Sequence, residues 1–168
     1  KRVSQLYVSS LVYGGAEREA IAEATRLLEE EPDNRPIREL RVRAYEATLD
    51  LESAVEDMEI LVSETPDEAR RVEMLLNLLI KIEDWDSARE RIIDLRKLLE
   101  REGVKDDARA VFCATAARFE KDRGNIEESE EALRACLEQY PTDPNVLFSL
   151  EEVLDETGRV DEATELLE

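Results

Sequence analysis

A spacing of 34 residues runs through this chain. Pro32 and Pro66 stand that far apart, as do Ala20, Ala54 and Ala88, and also Gly124 and Gly158. Pro66 to Pro141 and Ala88 to Ala163 are each 75 residues, which is two periods plus seven. Prolines, alanines and glycines thus agree on one period and on one seven-residue insertion. A fixed period of this length is the mark of stacked units, because one short unit cannot bury its own apolar face and needs neighbours to do so.

The text between the markers repeats as well. Glu19-Ala20-Ile21, Ser53-Ala54-Val55 and Trp85-Asp86-Ser87-Ala88 each open a helical stretch. So do Gly124-Asn125-Ile126 and Gly158-Arg159-Val160. Glu31-Pro32-Asp33, Thr65-Pro66-Asp67 and Tyr140-Pro141-Thr142 close such stretches, since proline cannot extend a helix. Apolar residues recur three or four apart within each unit, as in Val72, Leu75, Leu76 and Leu79 or Leu147, Leu150 and Leu154. Glycine and proline number only five each, and the helix-tolerant Ala, Leu, Glu and Arg dominate. The pattern predicts an all-α protein with helices at 2–13, 17–31, 36–48, 51–64, 68–82, 85–101, 106–122, 126–139, 144–156 and 160–168. The insertion falls around Gly103-Val104-Lys105-Asp106-Asp107. It is expected to lengthen a loop there or to add a turn to the helix before it.

These residues resemble the tetratricopeptide repeat, a unit of 34 residues with a small residue opening its second helix and Pro closing it. Phe112, Ala116 and Phe119 fit that family's first-helix ladder, as do Leu147, Leu150 and Leu154. Tyr45 lies nine residues before Ala54, and Leu79 nine before Ala88, at the spacing the family uses for its tyrosine. The resemblance implies a right-handed α-α superhelix of antiparallel helix pairs. It divides a single domain, 1–168, into units at about 1–34, 35–68, 69–105, 106–143 and 144–168. Some positions depart from the pattern. Glu17 stands where the second helix is elsewhere led by Leu51, Trp85, Ile126 or Val160. Arg41 replaces an expected Leu, and Ser129 an expected Ala. Trp85, the only Trp, is expected to wedge between the two helices of unit three.

The chain carries 43 acidic against 23 basic residues, a formal net charge of −20. Such a surface repels phosphate backbones and anionic membranes, so nucleic acid is excluded as a partner. No apolar run approaches membrane-spanning length. There is no histidine, which removes Ser-His-Asp and Cys-His catalysis and histidine-dependent zinc sites. Acid clusters such as Glu29-Glu30-Glu31 and Glu127-Glu128 read as solvated helix faces. Asp84-Trp85-Asp86 and Asp106-Asp107 lack the ligand spacing of a calcium loop. No phosphate loop or nucleophile elbow is present. No enzyme activity, cofactor or metal is therefore expected. Cys113 and Cys136 lie on the two helices of unit four, each about a dozen residues from Gly124, so they could approach at similar depth. Two reduced thiols packed as small apolar groups are the favoured reading; a disulfide needs an oxidising compartment.

The resemblance implies a protein-interaction scaffold whose first helices line a concave, peptide-binding groove. Carried onto this chain, the inward positions are Arg2, Gln5 and Ser9; Glu39, Arg43 and Glu46; Arg70, Glu73, Asn77 and Ile80; Ala110, Cys113 and Ala117; and Asn145, Phe148 and Glu152. Arg2, Arg43 and Arg70 would form a positive stripe suited to an acidic peptide, since the guanidinium fork binds carboxylates at two points. Gln5 and Asn77 stand beside that stripe, and Phe148 offers an apolar contact further along. The same arginines could instead pair with Glu39, Glu46 and Glu73. Gln5, Ser9, Leu40 and Met74 occupy the places where chaperone-binding members carry a basic and polar clamp, so no such clamp is expected. Two other readings stand: a substrate-recruiting or regulatory arm of a larger enzyme, and a self-assembly module forming a homo-oligomer. Lys1 opens the chain without Met and Glu168 closes it inside an apparent helix, so the sequence reads as one piece of a longer protein. Compartment stays open, the cytoplasm being favoured and the periplasm allowed if a signal sequence was removed.

Overall fold

The structure, a computed structural model, describes residues 2–101 and 103–166. Among these it contains ten helices and no strand: α1 (Arg2–Tyr13), α2 (Glu17–Glu30), α3 (Arg35–Ala47), α4 (Leu51–Glu64), α5 (Ala69–Lys81), α6 (Trp85–Leu99), α7 (Asp106–Asp122), α8 (Ile126–Gln139), α9 (Pro144–Glu156) and α10 (Val160–Leu166). Each predicted helix is present, with ends shifted by at most two residues. The two final residues of the predicted last helix lie outside the described residues.

The chain divides into two compact units, Lys1–Asp84 and Trp85–Glu168. In the first, α2 packs on α3, α3 on α4 and α4 on α5, while α1 touches both α2 and α3. Val8, Ala20, Ala24, Leu28, Ile37, Leu40 and Ala44 form one buried cluster there. In the second unit α7 and α8 pair, and α9 lies against both of them and against α10. Val146, Leu150, Val153 and Leu154 of α9 meet Ala110, Ala117, Leu133 and Cys136 in its core. The two units share one arrangement: α3 rests on both α1 and α2, as α9 rests on both α7 and α8.

Local chemistry explains the helix ends. The Asn34 side chain accepts the Ile37 amide, Asp50 accepts the Ser53 amide, and Asp143 accepts those of Asn145 and Val146. These caps satisfy donors that a helix start leaves open. Pro36 and Pro144 occupy the first turn, where a missing N–H costs nothing. Ala20, Ala54, Ala88 and Ala163 are all buried, which lets two helix axes approach closely. Ser129 holds the equivalent place and is 0% exposed, with no hydrogen-bond partner for its hydroxyl among the described residues.

Every turn inside a helix pair uses one residue with left-handed backbone. These are Gly15, Leu49, Glu83, Gly124 and Gly158, with φ between 60° and 86°. Glycine enters that region freely, whereas Leu49 and Glu83 carry a Cβ that crowds the backbone.

The seven-residue insertion is spread over three places rather than confined to the loop or the preceding helix. The helix α6 has 15 residues against 14 in α4, and α7 has 17 against 13 in α5. The remaining two lengthen the connection. Most of the insertion is thus an extra turn at the start of α7, where Asp106 and Asp107 favour the positive end of the helix dipole. Trp85, half-buried at the start of α6, stands edge-on to Phe119 of α7, with ring centroids 6.0 Å apart.

Candidate peptide groove

In the first unit, α1, α3 and α5 are the leading helices of their pairs, and their side chains line two clefts. One, of about 390 Å³, lies between α1 and α3 and is bordered by Arg2, Gln5, Leu6, Ser9, Tyr13 and Arg43. The second, of about 80 Å³, lies between α3 and α5, with Arg70, Arg71 and Met74 on one side and Met58 and Leu61 at its floor. Glu39 and Arg43 belong to both clefts and form their common wall. The structure therefore brings Arg2, Gln5, Arg43 and Arg70 along connected clefts. Asn77 sits half-buried on α5 outside either lining, and Phe148, 60% exposed on α9, belongs to the second unit.

Charge pairing on this wall differs from a simple neutralisation of the stripe. Glu39 accepts from Arg71 at 2.5 Å, and Glu46 is held by Lys81 at 3.4 Å. Arg43 instead donates to the Tyr13 hydroxyl, and its guanidinium lies 5.9 Å from the centre of that ring. Among the described residues neither Arg43 nor Arg70 forms a salt bridge, so both keep donors for a carboxylate. Burial raises the pKa of the half-buried Glu73 carboxyl above its usual range, and the charge of Arg70 only partly offsets that.

Some inward positions expected from the sequence do not reach open surface. Ala110 and Ala117 are 1% and 0% exposed, and Ile80 is 6% exposed. The alanines lie in the core of the second unit, where small side chains let α8 close over them. Cys113 is joined to Cys136 of α8 in a disulfide, with their Cα atoms 6.1 Å apart. This corrects the expectation of two reduced thiols: facing positions on one helix pair lie within the separation a disulfide spans. Tyr13, Leu6 and Arg71 were not among the expected groove residues. Tyr13 could have been found, since it follows Ser9 by one helical turn on the same face. Arg71 could not, because its bond to Glu39 crosses 32 residues.

Among the described residues no cluster of His, Cys, Asp and Glu could hold a metal ion, and no helix is long and apolar enough to cross a membrane.

No family model and no curated protein matches the sequence. Solved structures do match. A tetratricopeptide repeat protein from Parabacteroides merdae aligns over 98% of this chain with a TM-score of 0.81 at 20% identity. MamA, residues 41 to the end, from Desulfovibrio magneticus RS-1 aligns over 99% of this chain and 90% of its own, with a TM-score of 0.74 at 13% identity. The chain has the tetratricopeptide-repeat fold. It spans 62% of the length of the Parabacteroides structure. In tetratricopeptide terms, the clefts described above are bordered by the first helices of three successive repeats.

Proposed function

We propose that this chain is a protein-interaction scaffold, and that its first unit holds an acidic, extended peptide segment in the groove bordered by Arg2, Gln5, Arg43 and Arg70. The observation that carries the reading is the state of Arg43 and Arg70. In a chain of net charge −20 with carboxylates nearby, both guanidinium groups stand at the cleft wall without a salt bridge. Arg43 is also held in place by Tyr13, so little side-chain freedom remains to be lost when a ligand binds. Leu6, Leu40 and Met74 supply apolar contact between the charges. The division of 1–168 into five repeats belongs to the same proposal, supported by the helix pairs and left-handed turn residues found within each unit. Binding of a capped, fluorescent glutamate-rich peptide tests the idea. The Arg43→Glu/Arg70→Glu variant should bind at least about tenfold more weakly, the loss of roughly 1.4 kcal/mol or more. Equal binding by the variant and the parent chain would sink it.

A further inference from the structure

Three guanidinium groups border the cleft between α3 and α5, that of Arg43 from α3 and those of Arg70 and Arg71 from α5, against two carboxylates, Glu39 and Glu68. Both carboxylates belong to Arg71: Glu39 accepts from its Nη2 at 2.5 Å, and Glu68 lies 3.0 Å from its Nη1. The Arg71 side chain is only 13% exposed, and its buried Nε has no hydrogen-bond partner among the described residues. A buried donor without a partner costs free energy until one arrives. Arg43 and Arg70 are exposed, and neither forms a salt bridge among the described residues. Glu73, the one acid within α5, acts on Arg70 through its charge alone. The wall of the cleft therefore carries one positive charge in excess.

The floor of the cleft is apolar. Met58 and Leu61 of α4 are 1% and 0% exposed, and Met74 of α5 is half-buried in its lining. A methionine's unbranched thioether adapts to the outline of what lies on it. The space is about 80 Å³. One water takes roughly 10–15 Å³ of such space, so about half a dozen non-hydrogen atoms fit. A glutamate side chain is of that size, with methylenes for the floor and a carboxylate for the guanidinium groups. Its single charge matches the excess on the wall. A phosphoserine carries about −1.5 to −2 at neutral pH and would meet repulsion from Glu39 and Glu68.

We propose that the α3–α5 cleft is a specificity pocket that takes one glutamate side chain of the bound segment in preference to aspartate or phosphoserine. The inference rests on the acidic-peptide reading above and adds which acidic side chain the groove selects. The carboxylate meets Arg43 and Arg70, whose guanidinium forks can hold it at two points. The methylenes lie on Met58, Leu61 and Met74. An aspartate that reaches the same arginines leaves part of that floor uncovered.

Met58 and Met74 are the only methionines in the chain, so methionine labelled with ¹³C at its methyl group gives two signals, both from the cleft. Met74→Leu assigns them. Capped fluorescent peptides of one length, rich in glutamate, aspartate or phosphoserine, are added to the full chain at physiological salt and followed by anisotropy and by these signals. The glutamate peptide should bind about fourfold to tenfold more tightly than the aspartate peptide, the effect of one methylene in an apolar pocket. It should also shift both methyl signals. Met74→Ala, with circular dichroism as a check of helix content, should shrink that preference. A glutamate peptide that binds through Arg43 and Arg70 yet leaves both signals unmoved overturns the pocket and leaves the groove reading standing. So does equal binding of the glutamate and aspartate peptides. Tightest binding by the phosphoserine peptide overturns the match to a single charge. Binding of none of the three overturns the pocket and the groove reading together.

Discussion

Arg41 of α3 grips Asp57 of α4 at two points, Nε to Oδ2 and Nη2 to Oδ1, each at 2.7 Å. Arg38 donates to the same carboxylate at 2.8 Å, and the Asp57 side chain is only 4% exposed. A buried carboxylate holding two guanidinium groups tolerates the loss of neither charge set, because removal of one partner strands the other. Asp57→Ala should therefore destabilise the first unit by about 3–5 kcal/mol, the range found when a buried pair is broken on one side. Urea denaturation followed by circular dichroism measures it; a cost below about 1 kcal/mol would show the cluster to be dispensable.

The turn residue Leu49 is 80% exposed with φ of 60°, so it has backbone strain and no packing to lose. Leu49→Gly should stabilise the chain by about 1 kcal/mol, since the left-handed region costs a Cβ-bearing residue roughly 1–2 kcal/mol and glycine almost nothing. Thermal melting decides the sign. A lower midpoint for the variant would mean that glycine's extra freedom in the unfolded chain outweighs the relief.

Glu130 of α8 accepts hydrogen bonds from Arg159 and, at 2.8 Å, from Arg134. The bonds from Arg159, then those from Arg134, hold its carboxyl below the usual 4.5, against the opposing effect of burial. A lowered folded-state pKa gives stability that is fully present above the unfolded value and is lost as pH falls through the folded one. Glu130→Gln should therefore melt below the parent chain at pH 7, and the gap should close as pH drops below about 4.5. A gap of constant size across that range would show that the carboxylate's charge plays no part.

Cys113 and Cys136 close a loop with a sequence separation of 23. On the chain-entropy view such a loop stabilises the fold by about 3 kcal/mol. Reductant, or the Cys113→Ser/Cys136→Ser variant, should lower the melting midpoint of the second unit and leave the first unchanged. Thiol titration of the unfolded, unreduced chain checks the premise and should find no free thiol. Two titratable thiols in protein purified under air would contradict it.

The helices and their turns were legible in the sequence because their causes are local. Apolar spacing, Asn34, Asp50 and Asp143 as caps, and prolines in first turns act within a few residues of where they stand. Leu49 and Glu83 stand one and two periods after Gly15, but only their positive φ showed that they share the turn role of Gly124 and Gly158. The tetratricopeptide resemblance implied Arg2, Gln5, Arg43 and Arg70 on leading helices, and three of them border one cleft.

Contacts between helices were decided only in three dimensions. Arg41, a departure from the repeat pattern on paper, is satisfied by a carboxylate 16 residues away, and Arg43 by a tyrosine 30 residues away. Ala110 and Ala117 occupy inward positions by spacing yet are covered, since burial depends on how close α8 can come. Periodicity acts along one helix and can be read from the chain. Which guanidinium finds which acid, and which face stays open, depend on side chains meeting across helices, and that the order of residues does not encode locally.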